Sequence, residues 1–129
     1  MSKKVANNFA NKITPHYKYF DVKLLDSMDI KTAVSQKSLD SVIEYIKGSR
    51  YDKAQMLLLN LADETDKKSF VVFYNLGVIK EIQGEYVEAK KYYELSDSLT
   101  KQRVEEIDEA LFRIDELIRK KQKVNQQTR

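Results

Sequence analysis

The residues that could do chemistry in this chain are few. A single histidine, His16, sits between Pro15 and Tyr17, and there is no cysteine in the 129 residues. Thiolate metal sites, disulfides and cysteine nucleophiles are therefore excluded together, and the common zinc constellations lack the two or three His or Cys ligands they need. A Ser-His-Asp triad would have to recruit His16 from a segment that reads as a connection. The acidic pairs Glu105-Glu106 and Asp108-Glu109 have the type for general acid and base work, but their density on one helix points to a solvated face. No dinucleotide, Walker, HExxH or EF-hand spacing occurs. The sequence predicts a protein that is not an enzyme, with no catalytic residues, no metal and no cofactor.

Charge is divided along the chain. Residues 1–35 carry six Lys against three Asp, residues 119–129 carry five Lys or Arg and no acid, and the net charge is +3. The middle must therefore be acidic by five charges. The cluster Arg119, Lys120, Lys121, Lys123 and Arg129 follows the last periodic apolar residue, Ile118, as cations do at a helix C-terminus, whose dipole favours them. No aromatic residues interleave with it, so it predicts no nucleic-acid partner. No run of about 18 apolar residues is present, which predicts no transmembrane segment.

The elements that must position any site are helical. One Pro and three Gly leave too few breaks for an all-β chain. Leu39, Val42, Ile43 and Ile46 recur at helical spacing and stop at Gly48-Ser49; Tyr51, Ala54, Leu57, Leu58, Leu61 and Ala62 follow with the same period. A third run spans Phe70 to Ile82 and stops at Gly84, and a fourth runs from Tyr86 to about Leu99. Self-comparison aligns Tyr51, Ala54, Leu58 and Leu61 with Tyr86, Ala89, Tyr93 and Ser96 at a shift of 35. The preceding helices match better at 34, which places a one-residue slip at the first turn.

Residues 70–103 carry Phe73, Leu76-Gly77, Gly84, Tyr86, Ala89 and Tyr93 at the spacing of the tetratricopeptide repeat, which they resemble; residues 35–69 carry Tyr51 and Ala54. Lys80, Ser96 and Lys101 depart from the family pattern. In physical terms Gly77 allows the second helix to approach the first, Gly84 serves the turn, and Ala89 keeps the pair close beside Tyr86 and Tyr93. Residues 102–121 form a further helix by pattern, with Val104, Ile107, Leu111, Ile114 and Ile118 as its stripe, and it reads as a cap rather than a dimerising coiled coil. The expected fold is all-α: a right-handed stack of two helical hairpins plus a capping helix over 36–121, then a disordered basic tail at 122–129. The chain is expected to be a monomer or weak dimer.

Residues 1–35 differ in kind. Val5, Phe9 and Ile13 suggest a short helix, and Phe20, Val22 and Leu24 alternate with Asp21 and Lys23 like one short strand. The stretch Val5 to Leu25 resembles the join before the C-terminal repeat domain of uncharacterised bacterial envelope lipoproteins. Met1-Ser2-Lys3 is no secretory signal. These readings imply the cell envelope if the chain is an excised domain, and the cytoplasm otherwise.

The resemblance to the repeat family implies a function. There the first helix of each repeat lines a groove that holds a peptide, which maps here to Val71, Tyr74, Asn75, Val78 and Ile82, with Asn75 matching the Asn that bonds a ligand's backbone. The same face of the cap helix maps to Glu105, Asp108, Glu109, Phe112 and Asp115. Acidic and apolar residues stand where chaperone-binding members carry a cationic carboxylate clamp, so a protein or peptide ligand of basic or apolar character is expected. The function is then either a protein- or peptide-binding scaffold, or a structural domain of a larger envelope protein whose groove is filled by its own N-terminal segment.

Overall fold

The computed structural model describes residues 22–127, and among them it is all-α. Five helices follow an extended segment: α1 (Ser35–Lys47), α2 (Tyr51–Glu64), α3 (Phe70–Ile82), α4 (Tyr86–Leu99) and α5 (Glu105–Gln127). Each helix from α1 to α5 packs on the next in the chain. None is long and apolar enough to cross a membrane.

Each helix follows from its apolar stripe and its ends. In α1 the residues Leu39, Val42, Ile43 and Ile46 are buried, and in α2 they are Ala54, Leu58, Leu61 and Ala62. Burying each Leu, Val or Ile among them contributes about 1.5–3 kcal/mol, so each stripe draws its helix into the stack. At the end of α2 the Thr65 hydroxyl donates to Leu61 O at 2.8 Å, and Asp66 and Lys67 turn the chain with φ of 56° and 58°. Helix α3 is the central element, with Val71 through Ile79 all buried. Its first turn is capped by Ser69, whose Oγ accepts from Val72 N at 3.2 Å. Helix α5 opens with Glu105, Glu106 and Asp108, where negative charge offsets the positive end of the helix dipole.

The two hairpins repeat at one period without a slip. The backbone bonds closing the first turn run from Gly48 N, Ser49 N and Arg50 N to Glu44 O, Ile46 O and Tyr45 O; those closing the second run from Gln83 N, Gly84 N and Glu85 N to Ile79 O, Glu81 O and Lys80 O. Every donor and acceptor is displaced by 35. The expected shift of 34 for the first helices is thus corrected, and Leu39 pairs in register with Tyr74, Val42 with Gly77, and Ile46 with Glu81. The apolar spacing misled because α3 is buried all round, so a one-residue shift still matches apolar with apolar. The left-handed turn residue is Ser49 (φ 61°) in the first hairpin and Gly84 (φ 82°) in the second. Gly48 itself ends α1 in an ordinary conformation, with φ −89°.

Two further expectations are corrected. Residues 122–127 are helical rather than a disordered tail, because neither Gly nor Pro interrupts α5, and Lys121 anchors its late turns by donating from Nζ to Gly84 O at 3.0 Å. Val22 to Leu24 form no strand. Both Val22 and Leu24 are buried, so the alternation was read correctly, but the backbone here is bonded by side chains of the helices instead of by a neighbouring strand. Val5, Phe9, Ile13, His16 and Phe20 lie outside the described residues, as do residues 128–129.

Gly77 is the tightest point of the stack. A Cβ there would lie 2.5 Å from Cε1 and 2.6 Å from Cδ1 of Tyr93, whereas at Gly48 the nearest atom would be 3.6 Å away. Tyr93 is fully buried and its hydroxyl is bonded, so its ring cannot yield freely. Gly77→Ala is expected to destabilise the fold by about 1–3 kcal/mol through overpacking, while Gly48→Ala stays within about 0.5 kcal/mol. Urea denaturation of the two variants checks the contrast.

Candidate functional site

The residues expected to line a groove on α3 are buried. Val71, Tyr74, Asn75, Val78 and Ile82 are each at most 8% exposed. What covers part of this face is the chain's own segment. Asn75 Oδ1 accepts from Leu25 N at 3.1 Å and Asn75 Nδ2 donates to Leu25 O at 2.8 Å, while the Tyr74 hydroxyl donates to Lys23 O at 2.6 Å. All three bonds read backbone, so they fix the path of residues 23–25 without selecting their side chains. Selection comes from Val22 and Leu24, whose side chains join the buried core.

More polar side chains fasten the rest of the segment. Asp29 bridges Ser69 and the start of α3: its Oδ1 accepts from Ser69 Oγ at 2.5 Å and its Oδ2 from Phe70 N at 3.0 Å. A carboxylate is favoured there because it meets unpaired N–H groups at the positive end of the helix. On the α1 side, Gln36 donates to Asp26 O at 3.0 Å and accepts from Met28 N at 2.9 Å.

The remaining expected residues are not brought to this site. Asp108 accepts from Arg103 Nε at 2.5 Å, Glu109 is exposed, and Phe112 is 65% exposed. Asp108, Glu109 and Phe112 thus lie apart from the face that Asn75 and Tyr74 present to residues 23–25. Helix α5 turns Ile107, Ala110 and Ile114 inward, and at 3.6 residues per turn Phe112 falls on the opposite side. The residue of α5 that reaches α3 is its neighbour, Arg113.

Arg113 completes a buried charged cluster that composition could not reveal. Its Nε donates to Glu81 Oε2 at 2.6 Å and its Nη2 to Glu81 Oε1 at 2.9 Å, and the Tyr93 hydroxyl donates to Glu81 Oε1 at 2.6 Å. Glu81 is fully buried and the Arg113 side chain is 4% exposed. Burial opposes the charge on Arg113, but the hydrogen bonds and charge of Glu81 outweigh it and hold the guanidinium above its ordinary pKa. Burial, reinforced by the Glu81 charge, pushes the Tyr93 hydroxyl well above its usual value; burial likewise raises Tyr74, with Arg113 opposing. Glu81 and Arg113 each stand among many charged residues, and the only available signal was their place on the apolar faces of α3 and α5.

No protein-family model matches the chain, and no curated protein matches it.

Two outcomes follow from the cluster. Arg113→Met removes the counter-charge of the buried Glu81 carboxylate and is expected to cost about 3–5 kcal/mol, whereas the double change Glu81→Met with Arg113→Met recovers much of that loss. Chemical denaturation of both variants measures the difference. Tyrosines whose pKa is raised by folding contribute no pH-dependent loss below their unfolded value, about 10. Stability is then lost as pH rises toward their folded values. Phenolate absorbance is expected to show Tyr74 and Tyr93 ionising only together with the unfolding transition, and their removal as Phe should lower the alkaline slope of stability.

Proposed function

We propose that the chain is a non-enzymatic helical-repeat module of the tetratricopeptide kind whose groove is occupied in cis. Its role in this reading is structural: it grips residues 22–29 and so orders the polypeptide that precedes the helices, as the end domain of a larger envelope protein would. The observation that carries the reading is the paired bond between the Asn75 amide and the backbone N–H and C=O of Leu25. A side-chain amide that both donates to and accepts from one residue imitates a neighbouring strand, and it explains how an extended segment is held without a sheet.

A second reading, a scaffold that binds a partner peptide in trans, draws on the same bonds. Because Asn75 and Tyr74 contact backbone only, a foreign extended segment with two aliphatic residues spaced like Val22 and Leu24 meets the same donors and acceptors. It must displace the cis segment, and the tethered segment has the advantage of a high effective concentration.

Amide hydrogen exchange at Leu25 separates the possibilities. The cis reading expects Leu25 N–H to be protected in the intact chain and to exchange about tenfold faster in Asn75→Ala, for a loss of roughly 1–1.5 kcal/mol. Protection unchanged by that substitution would remove the groove's role. A labelled peptide of residues 22–30 that binds the intact chain and loses that binding in Asn75→Ala would favour the trans reading.

A further inference from the structure

The two ends of the helical stack differ in a way that fits them to each other. At the first end, the 35-residue register sets Lys37, Ser41 and Glu44 of α1 against Val72, Leu76 and Ile79 of α3. The α3 residues are all buried, whereas Lys37 and Glu44 are exposed, as is Ser41. The face of α1 that matches a buried face of α3 is thus polar and uncovered among the described residues.

That face holds a cleft of about 520 Å³ lined by Lys37, Asp40, Ser41, Tyr45 and Arg50, among others. The Arg50 guanidinium lies over the Tyr45 ring, 5.7 Å from its centroid. Asp40 accepts from Gln36 at 3.0 Å and Glu44 lies 3.9 Å from Lys47. Lys37 and Arg50 form no ion pair among the described residues.

At the other end, α5 exposes an outer face opposite its buried stripe. Phe112, 65% exposed, is the one aromatic among the large exposed apolar residues described. Glu105 and Glu109 flank it on the same side, both exposed and neither in an ion pair among the described residues. One end thus offers an aromatic ring preceded by two carboxylates; the other offers a cleft with an aromatic floor, in which Lys37 and Arg50 stand beside Asp40 and Glu44.

We propose that the chain associates with a second copy of itself head to tail, with Phe112 of one molecule entering the Tyr45–Arg50 cleft of the next. The spacing along the helices agrees. Glu105 lies seven residues before Phe112, about 10 Å at 1.5 Å per residue, and Lys37 lies eight before Tyr45, about 12 Å. Two helices side by side and parallel therefore bring Glu105 to Lys37 while the ring meets Arg50, a cation–π and ion-pair combination. The contact is heterologous, so each molecule keeps one free end and association continues beyond a dimer. A contact of one helix face is small and hence weak and transient.

Sedimentation velocity of the full chain from about 10 µM to 1 mM tests this, with circular dichroism to confirm that variants fold. The expected result is an average mass that rises continuously with concentration and falls back as salt screens the charges. Phe112→Ser blocks one end and Arg50→Glu the other, and each variant alone is expected to be monomeric over that range. Mixing them in equal amounts is expected to restore a dimer and nothing larger, since each supplies the end that the other lacks. Should either substitution fail to fold, Glu109→Lys and Lys37→Glu replace them at the same two ends. A chain that stays monomeric throughout overturns the proposal, as does association that survives both substitutions. Variants that stay monomeric when mixed overturn it as well, because the two unaltered ends then fail to bind each other.

Discussion

Two opposite charges taken out of water on separate helices have to find each other, and that condition governs the arrangement of this molecule. Glu81 on α3 and Arg113 on α5 meet through two short hydrogen bonds. A misplaced α5 would strand both, at a cost of several kcal/mol per ion. Tyr93 on α4 also donates to the carboxylate, so three helices converge on one group. The ring of Tyr93 reaches it only because Gly77 has no side chain in the way. Tyr74 packs beside Tyr93, ring centroids 5.5 Å apart, and passes the constraint outward through its hydroxyl to Lys23 O. A continuous line of contacts thus runs from the capping helix through the core to the segment that precedes the helices.

The comparison of the two hairpins shows why that cluster belongs to the second alone. Ile46 occupies the register position of Glu81, and Leu58 that of Tyr93; both are apolar and buried. Beside the second hairpin lies α5, which brings an arginine, so the same position accommodates a carboxylate there. Replacing Ile46 by Glu would bury a charge with no such partner provided by the register.

Much of this architecture was legible in the residues. The runs ending at Gly48-Ser49 and Gly84 delimited four helices nearly to the residue, since turn and stripe agreed. Gly77, Ala89 and Tyr93 were read as a close-packing set for the reason the structure displays. The character of residues 22–24 was half legible: alternation gave the buried pair, but nothing in it distinguishes a strand from a segment held by side-chain amides. The site was harder. Asn75 was singled out as a reader of backbone, and the backbone it holds belongs to this chain. Phe112 was read as facing a ligand, and it is exposed; Arg113 was overlooked, because hydrophobicity ranks arginine as surface. Position 113 lies beside the buried stripe of Ile107, Ala110 and Ile114, and that place carries its guanidinium to Glu81.

The fastening of the segment also has a consequence in time. Its partners on α3 lie 40 to 51 positions downstream, at Ser69, Phe70, Tyr74 and Asn75. At about 5–20 residues per second of synthesis, residues 22–29 wait roughly 2–10 s before the helix that receives them exists. Throughout that interval Val22, Leu24 and Met28 have no core to enter. The first hairpin can close on itself meanwhile, since its contacts are local, but the segment completes only with the second. The belt is made first and fastened late, and the aliphatic residues that later lock it are, until then, surface that a ribosome-bound chaperone would recognise.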